Sequence, residues 1–284
     1  MSDYTQYLKN LPIMPDIAAR VINMAGGGKD ISFGDLEEVI KLDPGLTTKV
    51  LKVANSSMYA RQREISNLQS AISMLGFKNI RNLVVLITAS ALFKEDADSS
   101  FLRLFWRQGI ISAFASTYLA EKVNRQNLRE EAFLSALMCK IGQVAFYFAD
   151  RQGYENLYSR AVRDRIPSHE LERVKFETDY REVGAALLKN WNFPDMYCDV
   201  AREQGQRNIT SSHKMLIILV SISKFLAANH VLYPDNPIPH EDIRHYLPFI
   251  GLTMGGLERL SDSVMVSIQG DSLYNEYTGQ FGIA

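Results

Sequence analysis

Apolar residues recur at intervals of three and four along nearly the whole chain, and this spacing constrains the fold more than any other feature. Leu36, Val39 and Ile40 form one such set, and Val50 and Ala54 belong to the next. The interval places side chains on one face of an α-helix, whereas a strand requires alternation, which is almost absent. The sequence therefore predicts an all-α fold, a bundle of many helices that each bury one face.

Short polar motifs mark where several helices begin. Ser32 with Asp35, and Ser66 with Gln69, have the spacing of a capping box, in which side chains and backbone N–H groups satisfy each other. Asp43-Pro44 predicts another start, because proline is favoured in the first turn. These signals predict separate short helices in the first part of the chain.

Longer helices are predicted after the break at residues 95–100. One of them, over 130–149, contains Leu137–Gly142 in its interior, and another covers 216–229. The apolar run Met215–Ala228 is interrupted by Ser221, Ser223 and Lys224, and is predicted to be too short to span a membrane. The other predicted helices cover 101–123, 152–164, 168–177, 180–191 and 194–204, with at most two more in 243–267.

The composition is that of an ordinary globular protein and excludes several classes. Hydrophobic residues make up 46% of the 284 residues, charged residues 22%, and the net charge is −1. A nearly neutral chain lacks the basic surface that favours nucleic acid as a partner. Cys139 and Cys198 form no CxxC, and the polar start Met1–Gln6 does not resemble an export signal. We therefore expect a cytoplasmic protein without a membrane segment.

Several motifs in the first eighty residues resemble the HDOD (HD-related output domain) family of bacterial signalling proteins. They are Leu11–Pro15, Ile40–Thr47, Val50–Ser56 with Tyr59, and Ile65–Gly76. The resemblance implies an HD-like helical bundle over residues 8–205. Residues 206–284 lie outside it and are predicted from their apolar pattern to be an added helical segment, either separate or packed on the main body. The motif positions are Pro12, Pro15, Asp43, Pro44, Leu51, Asn55, Ser56, Tyr59 and Gly76. Asn55 is further predicted to end a helix in the left-handed conformation.

The resemblance also implies that a metal site has been lost. HD hydrolases hold divalent metal with His and Asp side chains from several helices, and the metal activates a water molecule. Here the corresponding positions carry Gln108, Cys139, Lys140, Tyr180 and Gln204. An ammonium has no lone pair to donate and repels a dication, so Lys140 opposes metal binding most strongly. We therefore expect no cofactor and no catalysis.

The leading hypothesis is a non-catalytic signalling module that contacts a kinase, a response regulator or a cyclic-dinucleotide enzyme, with unknown oligomeric state. One alternative is residual phosphohydrolase activity with a shifted set of carboxylates, formed by Glu130, Glu131, Asp179 and Glu182. A further alternative is that the vestigial site binds a small anion through Lys140 with Arg107 or Arg202. The plainer expectation is that Lys140 reaches solvent or pairs with a carboxylate.

A helix-turn-helix is the remaining alternative. Residues 69–91 read as helix, glycine turn and helix, and Lys78 and Arg81 lie near the start of the second helix. However, Leu83–Ile87 is apolar on nearly all sides, which favours an interior helix over one that enters the major groove.

Overall fold

A computed structural model describes residues 16–24, 32–55, 65–91 and 99–271, together with 274, 275 and 278. Within these residues the chain forms fourteen α-helices and two 3-10 segments and has no strand, which confirms the all-α prediction. The 3-10 segments are Gln126–Leu128 and His240–Ile250. The helices are α1 (Asp16–Met24), α2 (Phe33–Lys41), α3 (Pro44–Ala54), α4 (Leu68–Leu75), α5 (Phe77–Ala91), α6 (Ser100–Lys122), α7 (Arg129–Met138), α8 (Ile141–Ala149), α9 (Arg151–Asp164), α10 (Ser168–Phe176), α11 (Tyr180–Asn190), α12 (Asp195–Glu203), α13 (Lys214–Leu232) and α14 (Met254–Gln269).

Two of the predicted helix starts are formed as expected. The Ser32 hydroxyl accepts a hydrogen bond from the Asp35 N–H, and the Ser32 N–H donates to the Asp35 carboxylate at 2.9 Å, which completes a capping box. Asp43 accepts from the N–H of Leu46 at 3.0 Å, and Pro44 is the first residue of α3. Both caps satisfy backbone donors that the helix itself leaves without partners.

The second predicted capping box is wrong. Helix α4 begins after Asn67, whose side chain accepts from the Ser70 N–H at 2.8 Å, so Ser66 and Gln69 do not form the cap. Asparagine and serine are both good caps, and here they are adjacent, so the local sequence does not decide between them. Gly76 ends α4 with φ of 80°, a conformation that favours glycine.

Asn55 ends α3 as predicted, but not in the predicted conformation. Its φ is −91°, so it is not in the left-handed conformation. Its side-chain amide donates to the carbonyl groups of Leu51 and Ile65 at 2.9 and 2.7 Å, and its oxygen accepts from the Ile65 N–H at 2.7 Å. It therefore joins the end of α3 to the approach to α4. Of the other motif positions, Pro12, Pro15, Ser56 and Tyr59 lie outside the described residues.

The core is centred on α6, which packs along α7 on one side and along α13 on another. Helices α1–α5 pack against one another, and α5 also contacts α7. One apolar cluster extends from Ala18 to Ile268, and a second joins the end of α6 to α13 and the second 3-10 segment. The segment after residue 206 therefore lies against the main body through α13 and α14.

The helix predicted over 130–149 is interrupted. Helix α7 ends at Met138 and α8 begins at Ile141, and Lys140 has φ of −104° and ψ of 10°. The break redirects α8, which then packs against α11 where Gly142 meets Gly184. A Cβ on Gly142 would lie 2.1 Å from the carbonyl oxygen of Tyr180, so only glycine allows this approach.

Two helical stretches among the described residues have the length and apolar character of a membrane span. They are 126–149, with a mean hydropathy of 1.5, and 214–232, with a mean hydropathy of 1.8. The bent pair α4 and α5 gives a third if it is counted as one span. The prediction that the second stretch is too short is therefore wrong, because α13 extends beyond Met215–Ala228 at both ends. The apolar face of α13 packs on α6 in the core.

Candidate functional site

The five positions predicted to be vestigial come together around one cavity of about 500 Å³. Gln108 comes from α6, Lys140 from the break between α7 and α8, Tyr180 from the first residue of α11, and Gln204 from the end of α12; all four line the cavity. Cys139 lies beside them at a small void that Gln108 and Lys140 also line. Their origin as a lost metal site stays a prediction, and their convergence is a property of the fold.

Side-chain amides and an ammonium group form the floor of the cavity. The Lys140 ammonium donates to the Gln108 carbonyl oxygen at 2.9 Å. The Gln108 amide donates in turn to the hydroxyl of Tyr158 at 2.7 Å. The Gln204 amide donates to the backbone carbonyl of Cys139 at 3.4 Å. The break between α7 and α8 therefore aims Lys140 into the cavity, where its bond to Gln108 holds it.

A second lysine lines the same cavity, and sequence reasoning missed its role. The Lys224 ammonium donates to the Gln204 oxygen and, at 3.5 Å, to the Tyr180 hydroxyl. The signal was present in the sequence, because a lysine rarely interrupts an apolar helix without a reason. The two serines nearby have local roles: Ser221 accepts from the Gly205 N–H, and Ser223 donates to its own helix.

Above this polar floor the cavity wall is mainly apolar and the mouth is exposed. Val162 and Ile166 line it from α9 and the following turn, and Phe225 and Leu232 line it from α13. Arg165 at the exposed rim donates to the carbonyl oxygen of Asn236 at 2.7 Å. The wall is completed by Tyr233, Ile238 and Pro239 of the linker after α13 and by Asp242, Ile243 and Tyr246 of the second 3-10 segment.

Burial lowers the basicity of the groups that face this cavity. It lowers the pKa of Lys140, and, together with the charge of Lys140, it lowers the pKa of Lys224 to about 7. Burial and the nearby Arg181 lower the pKa of His169 to about 4, so this imidazole is neutral at physiological pH. The cavity thus contains amines whose charge costs free energy in the absence of an anion.

Glu172 is a fully buried carboxyl behind the cavity. It accepts from the Tyr154 hydroxyl at 2.7 Å and from the Tyr180 N–H at 2.8 Å. Burial raises its pKa to about 7 in spite of these hydrogen bonds. Glu172 therefore fixes the start of α11, where Tyr180 enters the cavity, and forms no ion pair with either lysine among the described residues.

The donor set does not fit a divalent metal ion. Lys140 and Lys224 bring positive charge to the floor, and the amide oxygens of Gln108 and Gln204 are already bonded to them. Burial raises the pKa of Cys139, which is held as a thiol that donates to the carbonyl of Ala136 at 3.3 Å. In the part of the chain that the structure describes, no group of three His, Cys, Asp or Glu side chains converges to hold a metal.

The carboxylates considered for a shifted metal site are each engaged elsewhere. Asp179 caps α11 and pairs with Arg173 and Arg181, both at 2.8 Å. Glu182 pairs with Arg202 at 3.6 Å. Glu130 and Glu131 lie on α7, where they bond Asn82 and Lys78 of α5, respectively.

The cations expected beside Lys140 are also not the ones observed. Arg202 pairs with Glu182 and Asp199 and does not line the cavity, and Arg107 is likewise absent from its lining. Lys224 and Arg165, which lie far from Lys140 in sequence, take their place at the floor and the rim. Lys140 itself is half-buried in the open cavity, and among the described residues it forms no ion pair with a carboxylate.

The bend of 112° between α4 and α5 at Gly76 is within the range of a helix-turn-helix, but the burial of α5 does not suit insertion into a DNA groove. Residues 83–87 of α5 are buried, and so are Arg81 and Asn82 at its start. Lys78 pairs with Glu131 at 3.4 Å. The helix that would read bases is therefore a core element covered by α7.

Comparison with known proteins identifies the fold. The HDOD domain family model matches residues 11–207. An uncharacterized protein of Treponema pallidum (strain Nichols) is 23% identical over 215 residues, which are 75% of this chain and 41% of that protein. The chain thus spans about two fifths of the length of the curated relative that it matches.

Three crystal structures share this architecture. An HDOD domain protein from Geobacter sulfurreducens superposes with a TM-score of 0.77 at 18% identity, over 97% of both chains. A protein from Marinobacter aquaeolei VT8, named as a candidate signal transduction protein, gives 0.79 at 20% identity, over 100% of this chain and 62% of that one. A protein from Shewanella amazonensis SB2B, named as a candidate phosphohydrolase, gives 0.71 at 22% identity, over 98% and 97%. At these identities the likeness is one of fold.

Proposed function

Because the chain belongs to the HDOD domain family, we propose that it is a signal-transduction module that works through contacts with other proteins and not through catalysis. The observation that carries this proposal is the floor of the cavity, where Lys140 and Lys224 bond the amides of Gln108 and Gln204. A hydrolytic metal centre needs anionic or neutral donors at these places, and ammonium groups exclude a dication from them.

The partners that we propose are signalling proteins: a kinase, a response regulator or a cyclic-dinucleotide enzyme. The name of the Marinobacter aquaeolei structure, which shares the fold, supports a role in signal transduction. The fold offers many exposed helix faces for such contacts, and the proposed location is the cytoplasm. Fold alone does not name a partner, so the assignment depends on experiment.

Two measurements test the absence of catalysis. Metal analysis of the purified full chain is expected to find less than stoichiometric iron, manganese or zinc. Assays with a phosphodiester and with nucleotides, with and without added manganese, are expected to show no turnover. A stoichiometric metal together with manganese-dependent hydrolysis would refute the proposal. The metal content and the hydrolysis rate can both be compared with those of the Lys140→Ala variant.

A reconstruction tests whether the five positions descend from a metal site. The triple variant Gln108→His, Cys139→His and Lys140→Asp replaces an amide, a thiol and an ammonium with donors that bind manganese or zinc. If the backbone still has the geometry of a metal centre, this variant should bind one ion more tightly than the parent chain does. Equal metal binding by the folded variant and the parent would show that the positions do not form a vestigial site.

The protein-contact part of the proposal needs a purified pair. Full-length chain carrying an affinity tag should retain a signalling protein from cells that produce it, and the two purified proteins should then bind in solution. Binding that changes the partner's own activity would support the proposal. Absence of any effect on kinases, regulators and cyclic-dinucleotide enzymes from the same cells would contradict it.

A further inference from the structure

Among the described residues, the two lysines in the cavity have no carboxylate partner and use only some of their hydrogen-bond donors. An ammonium has three N–H donors. Lys140 donates to one acceptor, the Gln108 oxygen, and Lys224 donates to two, the Gln204 oxygen and the Tyr180 hydroxyl. Among the described residues neither of them forms an ion pair with a carboxylate. Three of their six N–H donors therefore have no acceptor among the described residues.

A second observation shows what shape of acceptor would fit. The cavity of about 500 Å³ falls within the range of roughly 300–1,000 Å³ that small-molecule sites occupy. Its polar floor is deep, whereas Val162, Ile166, Phe225 and Leu232 give the upper wall an apolar surface. A ligand that satisfies both parts needs a charged end and an apolar body.

We propose that this cavity binds, without converting it, an amphipathic oxyanion whose carboxylate or phosphate group lies between Lys140 and Lys224. The apolar body would lie against the side chains of α9 and α13 and extend toward the rim at Arg165. The inference rests on the proposed function in one respect only, namely that no turnover accompanies binding.

Charge decides in favour of an anion over a neutral or cationic ligand. Arg181 lines the cavity near the floor, although its guanidinium is paired with Asp179, and Arg165 lies at the rim. Asp242 is the carboxylate in the described lining, and it is exposed and forms no ion pair with either lysine among the described residues. An oxyanion would also relieve the cost of burying two ammonium groups side by side.

The binding site would link two parts of the chain. Lys140 belongs to the part that the family model matches, and Lys224 lies on α13, beyond residue 207. A ligand held by both would bridge the break between α7 and α8 to α13. Ligand binding would thereby stabilise the packing of the carboxy-terminal helices on the main body.

The test uses calorimetric titration of the full chain with four probes: decanoate, decanol, adenosine monophosphate and inorganic phosphate. Decanoate or adenosine monophosphate should bind more tightly than inorganic phosphate, because only these two probes have both an oxyanion and a body. A preference for decanoate assigns a lipid carboxylate as the source of the anion, and a preference for adenosine monophosphate assigns a nucleotide phosphate. No binding of either at millimolar concentration would overturn the proposal, and so would equal binding of decanol and decanoate.

Variants locate the site. Lys140→Met and Lys224→Met should each weaken binding by about tenfold or more, because each removes a charged hydrogen bond. Lys189→Met, which changes an exposed lysine on α11, should bind as the parent does. Thermal unfolding of each variant shows that it is folded, and parental affinity in both cavity variants would overturn the proposal. Release of phosphate from bound adenosine monophosphate would instead contradict the absence of catalysis while leaving the site itself in place.

Discussion

The contact between α8 and α11 gives the sharpest prediction for stability. A Cβ added at Gly142 would lie 2.1 Å from the Tyr180 carbonyl oxygen and 2.6 Å from the Gly184 nitrogen. Both atoms belong to the backbone, so no side-chain rotation can relieve the clash, and the contact must open to at least 3.0 Å. Overpacking of this kind typically costs about 1–3 kcal/mol and occasionally more.

Alanine also favours a helix over glycine by about 1 kcal/mol, which offsets part of this cost. Because the opposing atoms are backbone on both sides, we expect the cost of the clash to reach about 3 kcal/mol, so that Gly142→Ala lowers the free energy of unfolding by about 2 kcal/mol net. For a chain of 284 residues that corresponds to a fall of about 3 °C in the unfolding midpoint. Circular dichroism during thermal and urea unfolding would measure it.

Two other glycines provide matched controls. At Gly184 the added Cβ would lie 3.2 Å from the Gly142 nitrogen, which calls for a smaller adjustment, so the loss should be intermediate. At Gly109, within α6, the nearest atom is 3.5 Å away, and the gain in helix propensity should leave the stability unchanged or raised. Equal stability of the Gly142 and Gly109 variants would refute the reasoning.

Three further predictions follow from buried polar groups. The pKa of Glu172 is raised to about 7 in the folded state, so between pH 4.5 and 7 the folded protein binds more protons than the unfolded chain does. Stability should therefore fall by roughly 3 kcal/mol as the pH rises through this window, and Glu172→Gln should flatten that slope in urea titrations. The pKa of Lys224 is lowered to about 7, so between pH 7 and 10 the unfolded chain binds more protons than the folded protein does. Stability should therefore rise with pH in this window. Lys224→Met should accordingly raise the unfolding midpoint at pH 7, with a smaller gain at pH 10. The Asn229 amide donates to the Ile238 carbonyl and accepts from its N–H, at 3.0 and 2.9 Å, so Asn229→Ala should lower stability by about 1–3 kcal/mol. The same substitution should also speed hydrogen exchange at the Ile238 amide. Unchanged exchange there would contradict the role of Asn229 in holding the Ile238 backbone.

Features that depend on neighbouring residues could be predicted from the sequence. The capping box of Ser32 and Asp35 and the cap by Asp43 involve atoms three residues apart, so the sequence contains all that they need. Helix periodicity is local in the same sense. The choice of Asn67 over Ser66 shows the limit of local rules, because two adjacent residues satisfy them equally well.

Features that depend on distant parts of the chain could not be predicted. The break before Ile141 leaves no trace in the apolar pattern, because it is set by the approach of Gly142 to α11, about forty residues further along. The family resemblance predicts that Gln108 and Lys140 lie at positions where HD hydrolases carry metal ligands. The hydrogen bond between them can be seen only in the folded chain. Lys224 stood out in the sequence only as an interruption, and its place beside Tyr180 follows from the packing of α13.

The chemistry of the cavity joins the two proposals. A metal ion in a hydrolase supplies positive charge that holds an oxyanion and also activates a water molecule. The ammonium groups of Lys140 and Lys224 can supply the first of these effects and not the second, since an ammonium cannot serve as the Lewis acid that lowers the pKa of a bound water. A cavity with amines and no metal donors would therefore separate binding from hydrolysis. A cavity of this kind can report the presence of an anion to a partner protein without consuming it, which is what a signalling module requires of its input.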